Sequence, residues 1–189
     1  EEAGEVAVDT ETSSLDPHQA DLVGVSLSSK IGKACYIPIG HNSKKSIDKN
    51  IVLQKLKPLL EDSSIKKIGQ NIKFDFIVLF KHGINITSME DTMLMSYVLD
   101  AGKNRHNMDT LSEIHLDHKT IAFKDLVGSG KKEINFSEVD IEKAKDYAAE
   151  DADITLRLYK KFYKSLKDEK MINIYEVFEK PMIKILAFM

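Results

Sequence analysis

The sequence predicts a mixed α/β fold in which one β-sheet is flanked by helices. Three short runs rich in β-branched residues, at 5–10, 22–28 and 33–39, have the length and composition of strands. From Asp91 onward, the pattern of apolar residues is almost wholly helical. The chain has 189 residues, of which 42% are hydrophobic and 30% charged, and this suits one core of ordinary composition.

The three N-terminal runs are expected to form a meander of neighbouring antiparallel strands. Turns between them are expected at Asp21 and at the Lys30-Ile31-Gly32 step. Helix and strand patterns then alternate, beginning after Asp48, which is a predicted N-cap. These patterns predict a helix at 48–60, a strand at 65–68 and a helix at 71–81.

The remainder of the chain is expected to be helical except for an exposed loop at 117–136. The predicted helices lie at 93–98, 111–116, 141–167 and 173–189, the last interrupted by Pro181. Because the sequence ends inside an apolar helix, we expect one domain at 1–175 and the start of a following region at 176–189.

Composition limits the classes of function. The formal net charge of −3 argues against a general nucleic-acid-binding surface, which is normally basic. It does not exclude a nuclease whose carboxylates hold metal ions.

Cys35 is the only cysteine and lies in an apolar run, so we expect a buried thiol and no disulfide. No apolar stretch approaches about 18 residues, so we expect no membrane span and a cytoplasmic location. The six histidines do not cluster at ligand spacing. His106, next to Arg105, could assist nucleic-acid binding, and the other five are expected at the surface.

The first candidate site residues are Asp9 and Glu11, which follow an apolar strand directly. The period of a strand is two, so both carboxylates lie on one face. Two such groups repel each other unless a cation or a proton lies between them, and an oxygen-rich pair suits Mg²⁺. Alone, the pair is also explained by a solvated strand end.

The second candidate is Asp75, in the segment Gly69-Gln-Asn-Ile-Lys-Phe-Asp75. Its neighbours Phe74, Phe76 and Ile77 are core-like, and a carboxylate among them is costly unless it is paired or faces a metal. The alternative is an early-helix acid that is favoured by the helix dipole.

The third candidate pair is Tyr147 and Asp151, which share one helix face because they are four residues apart. A phenol one turn from a carboxylate can hold a water molecule while the carboxylate holds a metal. The nearby acids Asp146, Glu150 and Asp153 are interpreted as a solvated stripe.

Taken in this order and context, the five candidates resemble the DEDD exonuclease superfamily in its tyrosine-bearing branch. The chain is similar throughout to the proofreading domain of bacterial family A DNA polymerases. The similar segments are Asp9–Asp16, Gly69–Asp75, Asp91–Leu94, Arg105–Leu111, His118–Phe123 and Tyr147–Leu156.

The resemblance implies a ribonuclease H-like fold and two divalent metal ions. Asp9 would bridge the two ions, Glu11 and Asp151 would complete the ligand set of the first ion, and Asp75 would serve the second ion, largely through water. Tyr147 would orient the attacking water. Mg²⁺ is the expected ion, with Mn²⁺ and Zn²⁺ left open.

The resemblance also implies how the 3′ end of single-stranded or frayed DNA would be held. Leu15 and Phe123 would stack against the terminal bases, although both could instead belong to the core. The expected contacts to the strand are Thr12, Gln70, Asn71, Lys73 and Arg105.

Three functions from different classes follow. The expected one is a monomeric 3′→5′ proofreading deoxyribonuclease with a polymerase domain in cis, which residues 176–189 would begin. A 3′→5′ exoribonuclease of the same superfamily would use the same acids on RNA. A non-catalytic docking scaffold is the third, and the complete acid set argues against it.

Overall fold

The computed structural model describes residues 4–189, which form a mixed five-stranded sheet with helices on both faces. The strands are β1 Glu5–Thr12, β2 Leu22–Lys30, β3 Lys33–Pro38, β4 Lys66–Gly69 and β5 Met89–Asp91. Their order is β3-β2-β1-β4-β5. The meander β1-β2-β3 is antiparallel, as predicted, whereas β4 and β5 run parallel to β1. The mixed α/β prediction is therefore confirmed, although the three-residue β5 was not predicted.

Most helices lie close to the predicted positions. The prediction of an exposed loop at 117–136 is wrong in part, because this segment contains a helix, Phe123–Val127, and the buried side chains of Val127 and Phe136. The helices are α1 Lys49–Glu61, α2 Ile72–Phe80, α3 Thr92–Asp100, α4 Met108–Leu116, α5 Phe123–Val127, α6 Ile141–Asp168, α7 Ile172–Ile174 and α8 Lys180–Ala187. A π-helical turn, Tyr175–Glu179, joins α7 to α8. Pro181 lies in the first turn of α8, where its missing N–H costs little, so it begins this helix and does not break it.

The two faces of β1 meet different helices because its side chains alternate. Val6 and Val8 pack into a core cluster that includes residues of α1 and α2. Ala7 packs on the other face, in a cluster that includes residues of α6. By the same alternation, Asp9 and Glu11 belong to the α6 side of the strand and Thr10 to the α2 side.

Helix α6 lies close against the sheet because small residues line its inner face. Ala144, Ala148 and Ala152 recur every four residues and are fully buried. Asp140 caps the helix by accepting hydrogen bonds from the backbone of Glu142 and Lys143. This close approach brings the middle of α6 to the end of β1.

Two predictions about single residues are wrong. Cys35 is exposed because β3 is an edge strand with little cover on its outer face. His41 is buried, and its Nδ1 lies 3.2 Å from the carbonyl oxygen of Val139, which can only accept. Nδ1 therefore carries the proton, and the Tyr36 hydroxyl donates to Nε2 at 2.6 Å.

Among residues 4–189, no helix combines the length and the apolar composition that crossing a membrane requires.

Candidate active site

Three carboxylates meet where β1 ends against α6. One oxygen from each of Asp9, Glu11 and Asp151 lies within 4.8 Å of the other two. The pairing of β1 with β2 shifts register between Glu11 and Thr12, a bulge that ends the regular ladder beside these acids. The predicted placement of Asp9 and Glu11 on one face is confirmed.

Asp75 reaches the same region from α2. Its Oδ1 accepts hydrogen bonds from the backbone N–H of Thr10 at 2.9 Å and from the Thr10 hydroxyl at 2.6 Å. One carboxylate oxygen is thus held by β1, and Oδ2 is left for another partner. Asp75 lies outside the group formed by Asp9, Glu11 and Asp151, but it is close enough to Asp9 for their charges to interact.

Burial and mutual repulsion make these acids hard to ionise together. Burial raises the pKa of Asp9 to about 6, partly offset by a backbone hydrogen bond of Thr10. Burial also raises the pKa of Glu11 well above its usual value, and the charges of Asp9, Asp151 and Asp75 raise it further. The pKa values of Asp75 and Asp151 rise for the same two reasons, burial first and then the charge of Asp9.

This charge distribution fits divalent cations. None of the basic side chains that the structure describes forms an ion pair with any of these four acids. Oε1 of Glu11 is buried without a hydrogen-bond partner. Hard cations such as Mg²⁺ are bound by carboxylate oxygens, and they would remove the repulsion that the protein itself leaves.

Tyr147 lies one helical turn before Asp151 and beside the acids. Burial raises the pKa of its phenol, and the nearby charges of Asp151, Glu11 and Asp9 raise it further. The phenol therefore stays protonated at neutral pH. Its ring packs near Phe136 and Phe123, with ring centroids 6.2 and 6.0 Å away.

The start of α2, which carries Asp75, is set by Asp91. The carboxylate of Asp91 accepts hydrogen bonds from the backbone of Asn71 at 3.1 Å and of Ile72 at 3.0 Å, and it also caps α3. Asn71 adopts a left-handed conformation (φ 60°), which asparagine tolerates better than most residues. A β-carbon on Gly69 would lie 2.7 Å from that of Ile72, so this tight entry into α2 needs glycine.

Asp9, Glu11 and Asp151 line a cavity of about 690 Å³, whereas Asp75 is not part of its lining. Its lining residues are Asp9, Thr10, Glu11, Thr12, Ser13, Ser14, Leu15, Phe74, Met108, Phe123, Glu133, Ile134, Asn135, Phe136, Tyr147 and Asp151. Acidic side chains and exposed apolar ones therefore share a single cavity.

The residues expected to hold the substrate fall into two groups. Thr12, Leu15 and Phe123 line the cavity. The core alternative fails for Leu15, which is 93% exposed, and Phe123 is 43% exposed.

The second group, Gln70, Asn71, Lys73 and Arg105, is not part of the cavity lining. The Gln70 amide donates to the His106 carbonyl at 2.7 Å and accepts from the Thr92 hydroxyl at 2.5 Å. Lys73 is partly buried and Arg105 is exposed. Their contact with a strand stays a prediction.

The acidic stripe on α6 is solvated at Asp146 only. Glu150 accepts hydrogen bonds from His118 Nε2 at 2.8 Å and from the backbone N–H of Ile121 at 2.6 Å. Asp153 accepts from the backbone N–H of Gly32 at 2.6 Å and pairs with Arg157 at 2.6 Å. The prediction was wrong for these two because each also binds a segment distant in sequence, Glu150 the one at 118–121 and Asp153 the turn at Gly32.

Sequence reasoning assigned no role to Thr10, Asp91, Glu150 or Ile134. A signal existed for Asp91, since an acid directly before Thr92 at the start of an apolar helical stripe is typical of an N-cap. Thr10 could have been assigned to the face opposite Asp9 from strand periodicity. The others depend on contacts that no local pattern reveals.

Comparison with known proteins agrees with this geometry. A family model described as 3′-5′ exonuclease matches residues 1–167. The chain belongs to this 3′-5′ exonuclease family. Among relatives of this exonuclease chain, DNA polymerase I of Rhizobium leguminosarum is 44% identical over an alignment of 207 residues. The alignment covers 98% of this chain and 20% of that protein. DNA polymerase I of Pseudomonas aeruginosa is 43% identical over 194 residues, covering 99% and 21% respectively. The exonuclease chain thus spans about a fifth of the length of the curated relatives it matches.

Solved structures share the fold of the exonuclease chain. Brucella melitensis NrnC with bound Mg²⁺ superposes with a TM-score of 0.73 at 28% identity, covering 98% of this chain and 82% of that one. Escherichia coli RNase D, an exoribonuclease, gives a TM-score of 0.73 at 15% identity, covering 97% and 45%. At 15% identity, the similarity to RNase D shows a shared fold and nothing about function. The expected ribonuclease H-like exonuclease fold is confirmed.

Proposed function

We propose that the chain is a proofreading 3′→5′ exodeoxyribonuclease, which hydrolyses the 3′-terminal phosphodiester of DNA and releases nucleoside 5′-monophosphates. The observation that carries this proposal is the meeting of Asp9, Glu11 and Asp151 within 4.8 Å, beside the phenol of Tyr147. DNA is favoured as the substrate because the relatives at 44% and 43% identity are DNA polymerases.

The acids suit a pair of divalent ions, with Mg²⁺ as the proposed species. Asp9 would be shared, Glu11 and Asp151 would hold one ion, and Asp75 would serve the other. When bound, the ions would stabilise the charge on the attacking and leaving oxygens of the phosphodiester. The bound Mg²⁺ of Brucella melitensis NrnC supports the choice of metal.

The protein's own groups would orient the reactants. The Tyr147 hydroxyl stays protonated, so it can form a hydrogen bond to the attacking water and hold it in line with the phosphorus. Thr10 fixes Oδ1 of Asp75 and thereby the direction of Oδ2. Such outer contacts orient metal ligands and tune their affinity.

The cavity would receive the end of the strand. Leu15 and Phe123 are apolar, exposed and on the cavity wall, so they can pack against bases of any sequence. Thr12, Gln70, Asn71, Lys73 and Arg105 are proposed to contact the sugar-phosphate backbone.

We also propose that residues 176–189 begin a region that continues into a polymerase domain in cis, with the exonuclease acting as a monomer. The segment docks through Ile183, which is buried, and through Phe188, whose ring contacts those of Phe76 and Phe80. The apolar side chains of Phe178 and Ile185 remain more than half exposed, as expected for a segment with further packing partners.

The test is degradation of 5′-labelled single-stranded oligonucleotides, as DNA and as RNA, with Mg²⁺, with Mn²⁺ and with a chelator. The variants are Asp151→Ala and Tyr147→Phe, and Asp146→Ala is the matched control because Asp146 is a solvated acid on the same helix. We expect a metal-dependent ladder that shortens from the 3′ end, faster on DNA, and that Asp151→Ala abolishes. Tyr147→Phe should lower kcat by about a hundredfold and leave KM nearly unchanged.

Two outcomes would contradict the proposal. Faster shortening of RNA than of DNA would favour the exoribonuclease. A folded, metal-supplied protein that produces no ladder on either substrate would favour the docking scaffold.

A further inference from the structure

Ile134 is an exposed apolar residue on the wall of the acidic cavity. It lies in the irregular segment before α6 and lines the same cavity as Asp9, Glu11 and Asp151. Its side chain is 41% exposed. A single exposed isoleucine is ordinary on a protein surface, but one that is held open beside a reactive site calls for a ligand.

The backbone around Ile134 is fixed, so its exposure is not the result of a loose loop. The N–H of Ile134 donates to the carbonyl of Val127 at 2.9 Å. Asn135 Nδ2 donates to the carbonyl of Ser13 at 2.9 Å, which ties this segment to the loop that carries Leu15. The Asn135 side chain also accepts from the backbone of Ser137 at 3.0 Å.

The surroundings of Ile134 favour a nucleobase over a phosphate. Leu15 and Phe123 are the other exposed apolar side chains of the cavity lining. Glu133 lies next to Ile134 on the same wall, and its charge would repel a phosphate there. Phe123 is already stacked on Phe136, with ring planes 4° apart and centroids 6.0 Å apart, so a base on its free side would extend an existing stack.

We propose that Ile134 contacts the nucleobase at the 3′ end of the substrate and makes the enzyme prefer ends that carry a base. This inference rests on the proposed exonuclease function. Ile134 offers neither a hydrogen-bond donor nor an acceptor, so the contact accepts all four bases and discriminates only against a missing one.

The experiment compares two DNA oligonucleotides that differ only in the 3′-terminal residue, which is either a normal nucleotide or an abasic analogue. The value of kcat/KM is measured on both for the wild type, Ile134→Ser and Ile134→Leu. Ile31→Ser is the matched control, because Ile31 is 50% exposed and lies in the turn between β2 and β3, outside the cavity.

For the wild type and the control, removing the terminal base should lower kcat/KM by at least about tenfold, because the contact with Ile134 is lost together with any contact of that base with Leu15 or Phe123. Ile134→Ser should lower kcat/KM on the normal end but hardly on the abasic end, so its own ratio shrinks towards one. Ile134→Leu should keep most of the wild-type ratio.

Equal losses on both ends in Ile134→Ser, with the wild-type ratio retained, would overturn the inference, because the side chain would then act on the site without touching the base. Failure of the proposed function is a distinguishable result, in which the wild type degrades neither oligonucleotide.

Discussion

Thr10 and Asp75 are joined by two hydrogen bonds, from the backbone N–H and from the side-chain hydroxyl of Thr10 to the same carboxylate oxygen. They lie on different elements, β1 and α2, and both are buried. The two hydrogen bonds fix Oδ1 of Asp75. Because the carboxylate is rigid and planar, they also set the direction of Oδ2. In this way the residue between Asp9 and Glu11 controls a fourth acid on the opposite side of the strand.

Thr10→Val should raise the Mg²⁺ concentration needed for half-maximal activity by about tenfold, because the loss of an orienting contact weakens a metal site to this extent. Metal titration of the exonuclease rate is the measurement. Thr10→Ser keeps the hydroxyl and should stay close to the wild type. An unchanged Mg²⁺ requirement in Thr10→Val would show that the backbone N–H alone orients Asp75.

The acid cluster should destabilise the metal-free protein. Burial and the charge of Asp9 raise the pKa of Asp151, so its ionised form is disfavoured in the folded state. Asp151→Asn should therefore raise the midpoint of thermal unfolding in chelator at neutral pH, because the amide removes a buried charge that is repelled by the neighbouring acids. Thermal unfolding checks this, and excess Mg²⁺ should stabilise the wild type more than the variant. A lower midpoint for Asp151→Asn in chelator would contradict it.

The same raised pKa values set a pH dependence for the metal-free wild type. The folded state keeps protons that the unfolded state releases, because the pKa of Asp9 is about 6 when folded and those of Glu11, Asp75 and Asp151 are also raised. The unfolding free energy contributed by these groups therefore falls as pH rises from about 4, the unfolded value, through the folded values. In chelator, the decline above about pH 5 should be shallower in Asp151→Asn than in the wild type. If the unfolding free energy fell equally steeply with pH in both proteins, Asp151 would not contribute to this pH dependence.

Glu150 should act on substrate binding through the loop that precedes Phe123. Its two oxygens hold His118 and the backbone of Ile121. Glu150→Ala should raise KM for single-stranded DNA by roughly tenfold with a smaller change in kcat, since a lost hydrogen bond to a charged group costs about 1.5 kcal/mol. Steady-state kinetics measures this, with Asp146→Ala as the control on the same helix. A fall in kcat at constant KM would point to disturbance of Tyr147 and Asp151 instead.

Tyr175 should anchor the C-terminal segment to the sheet. Its hydroxyl donates to Glu90 at 2.9 Å and accepts from the backbone N–H of Asp91 at 2.9 Å, and the side chain is fully buried. Tyr175→Phe should lower the free energy of unfolding by about 2 kcal/mol, because the buried N–H of Asp91 and Oε2 of Glu90 lose their partner, while Oε1 of Glu90 stays bonded to Lys180. Urea unfolding measures this, with Tyr97→Phe as the control, since Tyr97 is 51% exposed. If Tyr175→Phe were as stable as Tyr97→Phe, the groups that lose the Tyr175 hydroxyl would have to be hydrogen-bonded to water instead.

Local periodicity was sufficient for the parts of the site that lie within one element. A strand of period two places Asp9 and Glu11 together, and a helix places Tyr147 one turn from Asp151. The three strands of the meander and the long helix α6 follow from the same kind of pattern. These features depend on neighbours in sequence, so the amino-acid sequence alone determined them.

The tertiary structure decided what depends on contacts between distant segments. The strand β5, with only three residues, has no pattern of its own and exists because it pairs with β4. Glu150 and Asp153 resemble solvated acids in sequence, yet each holds a segment about 30 or more residues away. Cys35 is apolar in context but exposed, because its strand lies at the edge of the sheet. Burial and pairing are properties of the assembled chain, and no local period encodes which distant backbone will supply the partner.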